Sequence, residues 1–176
     1  IIPFWENNSL DPTYGGYFTC VDRKGRVYDT DKFSWLQGRQ AWMFSFLYNQ
    51  VEKKQAWLEI AKSGIDFLRS NAMDQDGNFY FSTTREGKPL VQPYNIFSDC
   101  FAAMAFGQYA KASGDKEIKD LARKTYFKIL RRSNNPKGKY EKSTGERELK
   151  GFSLPMILSN LVLELEDVLT PEEVES

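Results

Sequence analysis

Five stretches of this 176-residue chain carry apolar residues at helical spacing, and they alternate between two kinds. The first runs from Lys32 to Val51: Trp35, Arg39, Trp42 and Phe46 fall on one face, which Leu36, Met43 and Leu47 widen. The second, Gln55 to Asn71, places Trp57, Ile60, Ala61, Gly64, Ile65 and Leu68 in one stripe, with Lys62, Asp66 and Arg69 outside it. The third, Asn95 to Ala112, is apolar nearly all round, which predicts burial on more than one side. Gly114 then ends that helix and Asp115 caps the fourth, Lys116 to Arg132. This fourth helix keeps a single stripe, from Ile118 to Ile129, among many Lys and Arg. The fifth, Leu154 to Val168, is again mostly apolar and has Pro155 in its first turn, where a missing N–H costs little.

Short hairpin signals precede the more apolar helices. Gly16 to Val21 and Arg26 to Tyr28 flank the turn Asp22–Gly25; Asn78 to Ser82 pairs with Arg85 to Val91; and Gly138 to Lys150 reads as a weaker third copy. Taking Trp35, Phe97 and Leu154 as equivalent helix starts gives steps of 62 and 57 residues. The chain therefore reads as repeats of hairpin, inner helix and outer helix, with 32–51, 95–112 and 154–168 inside and 55–71 and 116–132 outside. The third repeat is unfinished: Thr170-Pro171-Glu172-Glu173 has the capping residue, Pro and N3 Glu of a sixth helix start. Such units bury their faces only against neighbours, so a chain truncated at both ends is expected.

Composition narrows the chemistry. Twenty-four basic residues balance 24 acidic ones, which argues against binding nucleic acid through a net basic field. No apolar run approaches a membrane span. The chain has no histidine, so the commonest general base, Ser-His-Asp triads and His-based metal sites are all excluded within it. Cys20 and Cys100, with no CxxC spacing, fit free thiols in a reducing cytoplasm. Neither a P-loop nor a GxGxxG element occurs, and no cofactor is expected. Aromatic residues reach 15%, a content that suits a large core or a cleft for a sugar.

The runs Gly15-Gly16-Tyr17-Phe18-Thr19-Cys20, Val27-Tyr28-Asp29-Thr30-Asp31-Lys32, Trp35-Leu36-Gln37-Gly38-Arg39-Gln40, Tyr94-Asn95-Ile96-Phe97-Ser98-Asp99 and Leu154-Pro155-Met156 resemble the N-acylglucosamine 2-epimerase (renin-binding-protein) family. The resemblance implies an all-α (α/α)6 barrel, of which residues 1–176 are the N-terminal half of one domain. It implies interconversion of N-acylglucosamine with N-acylmannosamine, an amino-sugar substrate, and two catalytic histidines in the other half. A homodimer is compatible with the uncovered inner helices of a half-barrel. Relatives of the cellobiose branch carry an N-x-x-x-H pattern near the third inner helix, where this chain has Leu154 and Leu158; that favours the N-acyl branch. Arg39 matches an arginine that faces the sugar's carbonyl and enediolate oxygens, and a fixed guanidinium there stabilises developing charge.

Each candidate also has a structural reading. Arg39 could pair with Asp29, Asp31 or Asp99. Trp35 could stack on sugar or sit in the core, Phe97 could recognise substrate or simply pack, and Asn95 and Asp99 could line the cavity or cap a helix. A non-catalytic sugar-binding or protein-interaction module of the same build is the alternative function; a glycoside hydrolase would need paired carboxylates across the cleft.

Overall fold

A computed structural model describes residues 1–136 and 151–175. Its helices are α1 (Ile2–Asn8), α2 (Ser34–Gln50), α3 (Gln55–Asn71), α4 (Phe97–Ser113), α5 (Lys116–Arg132), α6 (Ser153–Glu164) and α7 (Pro171–Glu175). Short strands β1 (Cys20–Val21), β2 (Val27–Asp29), β3 (Lys32–Phe33), β4 (Ser82–Thr83) and β5 (Pro89–Val91) lie between them. Capping chemistry sets several helix ends. Asp115 Oδ1 accepts the N–H groups of Glu117 and Ile118 at 2.9 and 3.1 Å, and Gly114 closes α4 in the left-handed region at φ 74°. Thr170 and Glu173 form a reciprocal capping box at the start of α7: Thr170 N–H donates to Glu173 at 2.9 Å and Glu173 N–H to Thr170 Oγ1 at 3.4 Å.

α2 packs on α3 and α4, and α4 packs in turn on α5 and α6. The order makes α2, α4 and α6 successive members of one layer, with α3 and α5 behind. Burial agrees: 12 of the 17 residues of α4 are buried, against 5 of 17 in α5. The α2–α4 contact is close because position 38 has no side chain. A Cβ on Gly38 would lie 2.7 Å from both the carbonyl carbon and oxygen of Phe101.

Three expectations need correction, and one helix carries no sequence signal. Lys32 and Phe33 are strand, not helix: β3 pairs with β4, so the second hairpin becomes a three-stranded sheet β3-β4-β5 that ties two repeats together. Only 82–83 and 89–91 form that hairpin's ladder, and Phe79 makes an isolated bridge to Met73 instead. The fifth helix stops at Glu164, four residues early, because Glu164, Glu166 and Asp167 gather at a helix C-terminus that disfavours negative charge, and the turn that follows buries Leu165, Val168 and Leu169. The helix without a sequence signal is α1, whose seven residues are too few for a periodic one. The weak third hairpin, 138–150, lies outside the described residues.

A charged node that the sequence does not announce fastens the hairpins to the helices. Lys32 is fully buried and donates to Asp11 Oδ2 at 2.9 Å and to the carbonyls of Gly15 and Arg85 at 2.6 and 2.8 Å. Arg85 grips the same carboxylate through both oxygens, at 2.9 and 3.0 Å. Burial alone would raise the Asp11 pKa; the hydrogen bonds from Arg85 and Lys32 outweigh it and hold the group below the carboxylate range.

Candidate functional site

The six residues from Trp35 to Gln40 point in different directions, and each has its own work. Gln37, fully buried, accepts the Tyr17 N–H at 2.8 Å and donates to the Tyr17 carbonyl at 2.8 Å, so a side-chain amide substitutes for a strand partner. Gln40 donates to Ser9 Oγ at 2.5 Å and fixes the end of α1. Gly38 admits the backbone of α4. These three residues therefore hold α2 in place, and Trp35, Leu36 and Arg39 are left to face outward.

The wide aromatic face of α2 is not the face it buries. Ser34, Gln37, Gly38, Gln40, Ala41, Phe44 and Ser45 are buried, whereas Trp35, Leu36, Trp42, Met43 and Leu47 are half-buried and Arg39 and Phe46 are exposed. Small and polar residues make the helix contacts and leave an open surface of rings. Arg39 stands on that surface, its guanidinium carbon 5.9 Å from the Trp35 ring centre and 5.6 Å from that of Phe101. None of Asp29, Asp31 and Asp99 forms an ion pair with it, nor does any other carboxylate among the described residues. Its donors are thus available to a ligand oxygen. A cleft of about 290 Å³ opens beside it, lined by Trp5, Thr19, Leu36, Arg39, Gln40, Trp42 and Met43.

The other candidates separate. Phe97 is half-buried and packed against the core, one turn before Phe101 on the same helix. Phe101, not singled out from the sequence, is the ring that reaches Arg39 and Trp35, 6.2 Å from the latter; its signal was the i, i+4 spacing from Phe97. Asn95 Oδ1 accepts the Phe97 N–H at 2.9 Å, so it organises the entry to α4. Asp99 is turned away from Arg39. It is 1% exposed, accepts from Arg132 at 3.0 Å and from the Phe79 N–H at 3.4 Å, and has Lys128 at 3.7 Å. Burial raises its pKa to about 6 against the pull of Arg132 and Lys128. Its neighbour Cys100 is a buried free thiol pushed up to about 12 by burial, and Cys20 is also free. With Asp99 committed to the outer helix, α4 offers the open face no carboxylate for a hydrolase pair.

A larger cleft, about 660 Å³, lies between α1 and α3 and includes Glu6, Asp11, Lys54 and Glu59. Its charged groups largely satisfy one another: Glu6 accepts from Lys54 and Trp57, and Asp11 from Lys32 and Arg85. No helix among the described residues is long and apolar enough to cross a membrane, and no cluster of three metal-binding side chains occurs among them.

Comparison with known proteins gives this arrangement a context. The family model for N-acylglucosamine 2-epimerase (GlcNAc 2-epimerase) matches residues 16–173. The bovine (Bos taurus) N-acylglucosamine 2-epimerase is 35% identical over 94% of this chain, which spans 40% of that protein. A cellobiose 2-epimerase of Dictyoglomus turgidum is 33% identical over 72% of the chain and 32% of its own length. Among solved structures, the cellobiose 2-epimerase of Bacillus thermoamylovorans superposes with a TM-score of 0.83 at 22% identity, covering 99% of this chain and 49% of that one. The fold is that of about half an (α/α)6 barrel.

Proposed function

The chain belongs to the N-acylglucosamine 2-epimerase family, and on that premise we propose that it is the N-terminal half of a cytoplasmic, cofactor-free 2-epimerase interconverting N-acyl-D-glucosamine and N-acyl-D-mannosamine. The observation that carries the reading is Arg39: an exposed guanidinium flanked by the Trp35 and Phe101 rings, with no carboxylate neutralising it among the described residues.

The chemistry follows from the substrate. In the open-chain sugar the C1 carbonyl acidifies the C2 proton. A base on one face removes that proton, and the electron pair moves into the C1–C2 bond while negative charge develops on O1. Arg39 donates to that oxygen, an interaction stronger in the transition state than in the ground state. An acid on the opposite face then returns a proton to C2, the charge on O1 collapses back to the carbonyl, and the configuration is inverted. Trp35 and Phe101 supply flat apolar walls for the C–H faces of the sugar. The two acid/base groups are assigned to histidines of the other half of the barrel, since these 176 residues contain none. The match to Leu154 and Leu158, where the cellobiose branch carries N-x-x-x-H, supports an N-acyl substrate.

Incubation with N-acetylmannosamine in deuterated water, followed by proton NMR of C2, tests the proposal. The intact protein is expected to wash out the C2 proton signal and form N-acetylglucosamine, and this chain alone is expected to do neither. Failure of the intact protein to exchange that proton, or exchange by this chain alone, contradicts the assignment.

A further inference from the structure

The open face contains a second polar element, assembled from three helices. Trp42 of α2 donates its indole N–H to Glu164 Oε2 of α6 at 2.7 Å. Gln108 of α4 donates to the same oxygen at 3.1 Å, and Asn49 of α2 donates to the carbonyl and side-chain oxygens of Gln108, both at 3.0 Å. No cation forms a salt bridge with Glu164 among the described residues: Lys111, paired with Asp167, acts on this half-buried carboxylate only through its field, and the hydrogen bonds to it come from neutral donors. Trp42 lines the same cleft as Arg39, and its ring stacks on Phe46 at 5.2 Å and 27°. An indole held at its N–H edge and along one face has its orientation set. We propose that Glu164 is a positioning residue for Trp42, clamping the indole beside Arg39 so that the sugar meets a preformed aromatic wall completed only when the third inner helix is seated.

The inference rests on the sugar-epimerase reading, and the physical argument is preorganisation. A ring already fixed in its bound orientation loses less freedom on binding, and a half-buried carboxylate with two donors is a strong anchor. Glu164 touches neither substrate nor reacting atoms in this account, so its loss should weaken binding more than chemistry.

The test is a cycle in the intact enzyme. Glu164→Ala is expected to raise the KM for N-acetylmannosamine about 10-fold, the scale of one hydrogen bond to a charged acceptor, with kcat changed by less than about 3-fold. Trp42→Phe keeps a ring but deletes the N–H and should give the same split; the double variant should be no worse than the worse single one, and Glu164→Gln, which keeps an acceptor, should recover most of the affinity. An unchanged KM in Glu164→Ala, or single effects that multiply in the double variant, overturns the proposal. A separate readout is the Trp42 indole N–H resonance of this chain in nitrogen-15 spectra, expected to exchange slowly with solvent and to shift in Glu164→Gln. A freely exchanging indole proton alongside full wild-type turnover overturns the clamp alone. Absence of sugar turnover by the intact wild type overturns the epimerase reading and the role of Glu164 with it.

Discussion

Between pH 7 and pH 5 this chain should gain stability as acid is added, and the gain should belong to one residue. Asp99 is buried between α4 and α5, and its pKa rises from 3.8 to about 6 because burial disfavours the ionised form more than Arg132 and Lys128 favour it. A raised carboxyl pKa means that the native state binds the proton more readily than the unfolded chain does. Stability therefore falls as pH rises through the window from about 4 to 6, the opposite of an ordinary salt-bridged aspartate. A shift of that size corresponds to about 3 kcal/mol in full, of which about 1 kcal/mol accrues between pH 7 and pH 5. For a domain of this size that is about 2–4 °C in Tm. The interval is unusually clean because the chain has no histidine. Asp11, held well below the carboxylate range by Arg85 and Lys32, begins to matter only as pH falls through its ordinary value near 3.8, where its contribution is lost. Calorimetry from pH 5 to 7.5 at constant ionic strength measures the slope, with Asp99→Asn as the control in which it should vanish. A wild-type Tm that is flat or falls toward pH 5, or a slope that survives in Asp99→Asn, refutes the reasoning.

Three further outcomes follow from the packing. Gly38→Ala should cost about 1–3 kcal/mol in urea unfolding, since its Cβ has only 2.7 Å to the Phe101 carbonyl group and α2 must move away from α4. Lys32→Met should cost about 3 kcal/mol or more, because it deletes three hydrogen bonds at a fully buried ammonium and removes one of the two cations that bind the buried Asp11 carboxylate. Asp115→Ala should lower stability by about 1 kcal/mol, as the two N–H groups capped by that carboxylate lose their acceptor.

The sequence revealed the fold further than the site. Helix spacing, the Gly114–Asp115 boundary and the Thr170–Glu173 capping box are local signals, and local signals survive into the structure. The direction in which α2 presents its rings was not local. A stripe of Trp35, Trp42 and Phe46 ordinarily marks a buried face, yet here Gly38, Ala41 and Ser45 make the helix contact and the rings remain open, because close approach to α4 requires small residues. Asp99 was legible as a polar intruder on an apolar helix, but its partner, Arg132, lies 33 residues away and cannot be found by spacing. The Asp11–Arg85 pair, to which Lys32 also binds, and the Trp42–Glu164 bond join residues even more distant in the chain, 74 and 122 positions apart. Phe101 was within reach of pattern reasoning, one helical turn from Phe97.

In the proposed reaction Arg39 acts on developing charge and not on folding. The most direct measurement is a parallel determination, in the intact protein, of Tm and of the C2 proton-exchange rate for Arg39→Lys. An exposed side chain with no carboxylate partner among the described residues should change stability by less than about 0.5 kcal/mol. The loss of a planar, two-pronged donor should lower exchange by about 10²-fold or more. A variant that melts early yet keeps its exchange rate per folded molecule would contradict the account and make Arg39 a structural residue.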